Sequence, residues 1–242
     1  MRVHVIGSSS AYPTQDNPTS GYLVEGNAGE KLLLDLGSGV LMNLKKFYNT
    51  DSIDHIFISH MHADHVADIG VACYERLVKK DLGIKRENIT FYTPYSEKAE
   101  SLKSVASDIV YIDEKAKIKL GSLTLTFLKT EHSDNCHAIK IREADKSVVY
   151  TSDTKYFKAL SDFSKGADLL LAECSLEKRF DADEYGHMNT ETVALLAKEA
   201  KPKLLALVHT PPYALSESIL GEVQESYSGV VVPVKAGDTF DL

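Results

Sequence analysis

Residues 56–65 read Ile56-Phe57-Ile58-Ser59-His60-Met61-His62-Ala63-Asp64-His65, an apolar stretch that runs straight into three imidazoles and one carboxylate within six positions. Neutral imidazole nitrogens and carboxylate oxygens suit a borderline divalent ion such as zinc. One tetrahedral ion cannot easily use four side chains from a single short turn, so the run predicts two ions. In an extended segment, residues two apart project to the same side, which aims His60 and His62 at one point. Asp64 and His65 fall where extension gives way to a helix, because Val66 to Lys80 carries apolar residues at Ile69, Ala72, Cys73 and Leu77. Their side chains then reach a neighbouring position.

The run resembles the signature of the metallo-β-lactamase superfamily, His-x-His-x-Asp-His after a strand, filled here by His60, His62, Asp64 and His65. That superfamily pattern continues with a further His, an Asp and a last His, each at a strand end. His132, Asp153 and His209 stand in that order. Each follows an apolar or alternating stretch: Leu123 to Leu128, Val148-Val149-Tyr150, and Leu204 to Val208. Loops at strand ends can bring distant residues together on a rigid scaffold. The resemblance implies that His60, His62 and His132 hold a first ion, that Asp64, His65 and His209 hold a second, and that Asp153 bridges both. It also implies a cofactor of two zinc ions, with manganese as the alternative. His4 and His55 lie near strand starts without such a pattern and read as structural, while His137 is left unassigned.

At 242 residues and 43% hydrophobic, the chain can bury a substantial core, and its length suits one domain over 1–242. The start, Met1-Arg2-Val3-His4-Val5-Ile6, is too short in apolar residues for a signal segment, and no stretch approaches the ~20 apolar residues of a membrane span. Three cysteines, Cys73, Cys136 and Cys174, form no Cys-x-x-Cys pair and leave an odd count. They read as small apolar residues of a protein kept in a reducing compartment, the cytoplasm. A formal charge of −8 disfavours a broad grip on polynucleotide, since each neutralised phosphate asks for a Lys or Arg contact.

Apolar alternation and turn signals lay out the elements. A first strand precedes Gly7, a hairpin covers 21–25 and 32–35, and helix 39–48 follows. Strand 53–59 delivers the histidine run and helix 64–80 leaves it. Strand 89–93, helix 95–106 and strand 109–113 close the first half. Three or four strands fill 116–152, followed by strand 167–172, helix 189–200, strand 203–208, helix 213–225 and strands near 229–233 and 238–241. Two halves of strands with covering helices predict an α/β architecture, an αββα sandwich of two mixed β-sheets flanked by helices, which the resemblance also implies.

Within the superfamily the chain is similar to the ribonuclease Z and phosphodiesterase branch. The carrying residues are Gly7 to Pro13 with Asn17, Leu34-Asp35-Leu36-Gly37-Ser38-Gly39, Gly186-His187-Met188-Asn189 and Leu207-Val208-His209. That branch implies hydrolysis by a metal-activated hydroxide that Asp64 orients, with a glutamate and a histidine donating a proton to the leaving group; Glu173 and His187 match in order. The residues beside them, Ala172, Cys174 and Ser175 or Met188, Asn189 and Thr190, differ from the usual motif. The tRNA-processing members carry a long arm between the third-motif His and the bridging Asp, whereas His132 and Asp153 are only 21 positions apart. With the acidic balance, this favours a small anionic phosphodiester, such as a cyclic nucleotide or short nucleotide, over a ribonuclease Z-like action on RNA. A lactone or thioester hydrolase is the nearest rival and a non-catalytic metal-binding scaffold the most distant. A homodimer is common among such relatives.

Overall fold

The computed structural model describes all 242 residues. Seven strands form the first sheet: β1 (Arg2–Gly7), β2 (Gly21–Glu25), β3 (Lys31–Leu34), β4 (His55–Phe57), β5 (Ile89–Pro94), β6 (Ser107–Ile112) and β14 (Thr239–Asp241). Seven form the second: β7 (Lys117–Leu120), β8 (Leu123–Lys129), β9 (His137–Glu143), β10 (Lys146–Tyr150), β11 (Leu169–Glu173), β12 (Leu204–Val208) and β13 (Val231–Pro233). Their spatial orders are β14-β1-β2-β3-β4-β5-β6 and β13-β12-β11-β10-β9-β8-β7. Each sheet mixes antiparallel hairpins with parallel pairs, as at β3–β4 and β10–β11–β12.

Period-two alternation assigns the faces. Leu32, Leu34 and Phe57 of one sheet meet Leu125, Phe127, Ile139, Leu169 and Leu171 of the other in the central core. The intervening Leu33 and Ile56 turn outward onto α1 (Val40–Leu44) and α3 (Ile69–Asp81). Leu170, Ala172, Leu205 and Leu207 turn outward onto α5 (Lys158–Ser164), α7 (Thr190–Ala200) and α8 (Ser216–Ser226). The layers therefore run helix, sheet, sheet, helix, as the hydrophobic pattern predicts. Leu171 is fully buried in the central core, so Leu171→Ala should cost about 2–5 kcal/mol. Differential scanning calorimetry of the ion-free protein should show this as a fall in Tm of roughly 2–4 °C per kcal/mol.

Several helices are shorter than their periodicity predicts. The stretch 64–80 divides into α2 (Ala63–Val66) and α3. Leu36 donates its N–H to the His65 carbonyl, Asp68 donates to the Leu36 carbonyl, and Leu41 donates to the Asp68 side chain. These bonds to the β3–α1 loop take carbonyls and donors that a continuous helix would use. Predicted helix 95–106 shrinks to α4 (Glu97–Glu100); beyond it Ser104 binds the Ala106 N–H through its side chain, a local bond that competes with helix. Helix 39–48 likewise narrows to α1. Two helices, α5 and the short α6 (Ala182–Tyr185), fall where no element is predicted. No helix is long and apolar enough to cross a membrane.

Candidate metal centre

β3, β4, β8, β10, β11 and β12 all finish at one edge of the sandwich, and each hands its next residues to the same place. Strand β4 leads into Ser59-His60-Met61-His62, β8 into His132, β10 into Asp153 and β12 into His209. Glu173 is the last residue of β11, on the same face as Leu169 and Leu171, so alternation points it inward. Three residues that follow these strand ends take left-handed backbone: Asp35 at φ 59°, Ser152 at 54° and His209 at 50°. Non-glycine residues held there cluster at functional sites, where the surrounding structure enforces them.

Asp153 lies at the centre. Its Oδ2 is 3.3 Å from His65 Nε2, 3.8 Å from His60 Nε2 and 4.0 Å from His132 Nε2, and its Oδ1 is 3.6 Å from His209 Nδ1. Around it the side chains divide into two sets that could each hold a cation: His60, His62, His132 and Asp153, and Asp64, His65, His209 and Asp153. His62 Nδ1 is 3.1 Å from His132 Nε2, and His209 Nε2 is 3.0 Å from Asp64 Oδ2. His60 Nε2, His65 Nε2 and Asp153 Oδ1 are fully enclosed yet have no hydrogen-bond partner. Buried polar atoms are normally satisfied, so three orphaned donor atoms aimed at one cavity fit a divalent metal centre.

The outer partners keep those lone pairs directed inward. Asp35 is fully buried, and its carboxylate accepts from the Ser59 N–H (2.8 Å), the Ser59 hydroxyl (2.9 Å), His65 Nδ1 (2.7 Å) and the Tyr150 hydroxyl (2.8 Å). With Nδ1–H committed to Asp35, His65 presents an unprotonated Nε2 to a cation. His132 donates Nδ1–H to the Gly186 carbonyl at 3.0 Å with the same result.

Charges among these side chains are strongly interdependent. Burial and the neighbouring His65 hold the His60 pKa well below the usual imidazole value. Burial would lower His65 too, but Asp153 and Asp35 outweigh it and push its pKa well up. Burial opposes ionisation of Asp153, yet His209, His65 and His60 keep its pKa far below the usual carboxylate range. Asp64 is held low against burial by the hydrogen bond to His209 and the charge of His65. Two carboxylates stay ionised amid clustered imidazoles, an arrangement prepared for added positive charge.

Beside the cluster stands a second carboxylate–imidazole pair. His187 Nδ1 is 3.0 Å from Glu173 Oε1, and its ring stacks on His209 with centroids 5.7 Å apart. Burial alone would lower the His187 pKa; Glu173, with Asp153 beyond, overcomes this and pushes it up to about 9. Glu173 is fully buried and fixed by the Thr154 N–H at 2.7 Å. All nine predicted site residues therefore meet at one edge, while His4 and His55 lie away from it, bonded to Thr239 and Tyr92. His137 starts β9 and belongs to neither set.

The family model described as anti-Pycsar protein Apyc1 matches residues 1–218. The chain belongs to this family. The probable metallo-hydrolase YhfI of Bacillus subtilis is 33% identical over 241 residues, covering 98% of each chain. The crystal structure of YhfI, a metallo-β-lactamase fold protein, superposes with a TM-score of 0.94 at 32% identity over 99% of this chain and 98% of that one. A ribonuclease Z from Metallosphaera sedula is 25% identical, covering 86% of this chain and 88% of its own. A diphosphatase of the PhnP family shares the fold, with a TM-score of 0.75 at 15% identity, covering 100% and 97%. The chain is thus a metallo-hydrolase of the metallo-β-lactamase superfamily, similar to the ribonuclease Z branch.

In this Apyc1-family chain, sequence reasoning overlooks the supporting residues. Asp35 sits in the quoted Leu34-Asp35-Leu36-Gly37 stretch without a role, although an acid ending the apolar run Leu32-Leu33-Leu34 is itself a signal. Asp134 accepts from the Met61 N–H at 3.1 Å and so fixes the turn between His60 and His62. Ala11 donates its N–H to Asp64 Oδ2 at 3.2 Å. Nothing in their local sequence marks these last two, because their partners lie 73 and 53 positions away.

Proposed function

We propose that the protein is a dinuclear-metal phosphodiesterase acting on a small anionic phosphodiester or nucleotide, with zinc as its metal and the cytoplasm as its compartment. The single observation that carries this reading is the Glu173–His187 pair beside the two-cation cluster. A thiolate leaving a thioester needs no fixed proton donor, because a thiol's pKa is only about 8.5, and at a carbonyl the leaving oxygen departs in a second step, after the activated water has added. An alkoxide leaving from phosphorus benefits greatly from one.

Bound divalent ions would polarise a phosphoryl oxygen and lower the pKa of a water molecule. His60, His62 and His132 would hold the first, Asp64, His65 and His209 the second, and Asp153 would bridge them. Two divalent charges against Asp64 and Asp153 leave a formal excess of about two, which draws in an anion. Asp64 Oδ2, steadied by the Ala11 N–H, can also orient the attacking water. His187 has Nδ1 occupied by Glu173, and its side chain is 21% exposed, so Nε2–H is free to protonate the departing oxygen.

The span between His132 and Asp153 supports a small substrate. It is taken up by the β9–β10 hairpin, which turns at Ala144 (φ 52°) and leaves no room for an RNA-binding arm. The test is a panel of cyclic nucleotides, dinucleotides, precursor tRNA and lactones on one zinc-loaded preparation, with metal content measured in parallel. Two ions per chain with turnover of the small phosphodiesters, lost on chelation and restored by zinc, is the expected result. Preferential cleavage of precursor tRNA or of lactones overturns the substrate class, and two ions with no turnover of any ester overturns the enzymatic reading.

A further inference from the structure

Behind the ligand carboxylates, each sheet places one further buried carboxylate, Asp35 and Glu173, and both are wired alike. Asp35, after β3, bonds His65 directly and is reached by the Ser59 hydroxyl at 2.9 Å; Ser59 Oγ in turn lies 3.0 Å from His60 Nδ1. Glu173, ending β11, bonds His187 directly and is reached by the Ser175 hydroxyl at 2.6 Å; Ser175 Oγ lies 2.8 Å from His209 Nδ1. In both cases the serine follows a strand end within two residues of its sheet's ligands or carboxylate, and all four groups are buried.

A hydroxyl has one proton and can donate it once. At Ser175 the shortest contact is to Glu173 Oε2, a charge-assisted bond that outcompetes the alternatives, His187 Nδ1 at 3.4 Å and the His209 carbonyl at 3.3 Å. Having given its proton to Glu173, the oxygen can only accept from His209, which must then carry its proton on Nδ1. His209 Nε2, which bonds Asp64 Oδ2 at 3.0 Å, is then the nitrogen whose proton a cation in the second set would replace. Ser59 imposes the same tautomer on His60 in the first set, whose Nε2 is the orphaned buried atom.

We propose that Ser175 is a positioning residue that ties the proton-donor pair to the second cation set, through a Glu173–Ser175–His209 relay, and that Ser59 plays the matching part for the first set through Asp35–Ser59–His60. One carboxylate, Glu173, then fixes both His187 and a ligand of the neighbouring ion. The inference rests on the ligand assignment proposed above.

Its test is zinc affinity, measured by competition with a chromophoric chelator that resolves two dissociation constants, on the full chain and its variants. Ser175→Ala should raise one constant about 10- to 100-fold, the usual effect of losing an outer partner of a ligating histidine, and leave the other within about twofold. Ser59→Ala should weaken the other ion, and Ser175→Thr, which keeps the hydroxyl, should restore wild-type affinity. Nitrogen-15 NMR of labelled histidine should show one ring in ion-free Ser175→Ala losing its fixed Nδ1–H form while circular dichroism stays unchanged. Unchanged constants in Ser175→Ala, equal weakening of both, or failure of Ser175→Thr to rescue would overturn the relay. Absence of two zinc ions in the wild type would instead overturn the underlying ligand assignment.

Discussion

Asp153→Asn is expected to abolish stable binding of both ions and to lower kcat/KM by at least about a thousandfold, or about 4 kcal/mol at roughly 1.4 kcal/mol per decade. The reason is its position. Asp153 is 2% exposed and has imidazole nitrogens of His65, His60, His132 and His209 within 3.3 to 4.0 Å. No other side chain belongs to both cation sets. Asparagine keeps the shape but removes the negative charge, and its amide nitrogen places donors where a cation would sit. Divalent charge so close to buried imidazoles would then lack its nearest neutraliser. Metal analysis after dialysis decides the matter, with far-UV circular dichroism of the ion-free variant checking that the sandwich persists. If the folded variant still carries two ions and works at the wild-type rate, Asp153 is no bridge.

His187→Ala should behave in the opposite way, keeping both ions while kcat falls about 10²- to 10⁴-fold, the range typical for loss of a positioned proton donor. The fall should be large with alkoxide leaving groups, as in cyclic nucleotides, and small with bis-p-nitrophenyl phosphate, whose departing phenolate needs little protonation. The sign of the pH dependence follows from the raised pKa. Beside Glu173 the imidazole stays protonated through neutral pH, so the donor is present at low pH and disappears as pH rises through its pKa. Glu173 and Asp153 push that value up to about 9; divalent cations nearby would bring it down, so the alkaline fall in kcat should lie below pH ~9. His187→Ala should lack that fall, and Glu173→Gln should move it to lower pH. Equal losses for both leaving groups, or metal loss in the variant, would contradict the assigned role.

How much of this was legible beforehand depends on the range of the interactions. The run His60 to His65 is local: its chemistry, its extended-to-helix geometry and its superfamily resemblance all lie within ten residues, and the αββα layering follows from strands apolar on both faces, as in Leu32-Leu33-Leu34 and Leu169 to Ala172. Helix ends were less legible. Whether 64–80 is one helix or two depends on bonds from Leu36 and Leu41, residues 27 or more positions from Asp68, and periodicity carries no record of such partners. The short helices α5 and α6 escaped for a related reason, since their few turns offer too little repeat to recognise.

The sequence by itself determined that this chain bears a His/Asp cluster suited to divalent metal at the ends of apolar strands: the run His60 to His65 shows it by residue type within one short stretch, and the order of His132, Asp153 and His209 matches the superfamily pattern. Only the tertiary structure decided which nitrogen of each imidazole faces the centre. That choice depends on Asp35, Ser59, Ser175 and the Gly186 carbonyl, groups brought within about 3 Å by the packing of two sheets. Hydrogen bonds of that reach are satisfied in space, not along the chain.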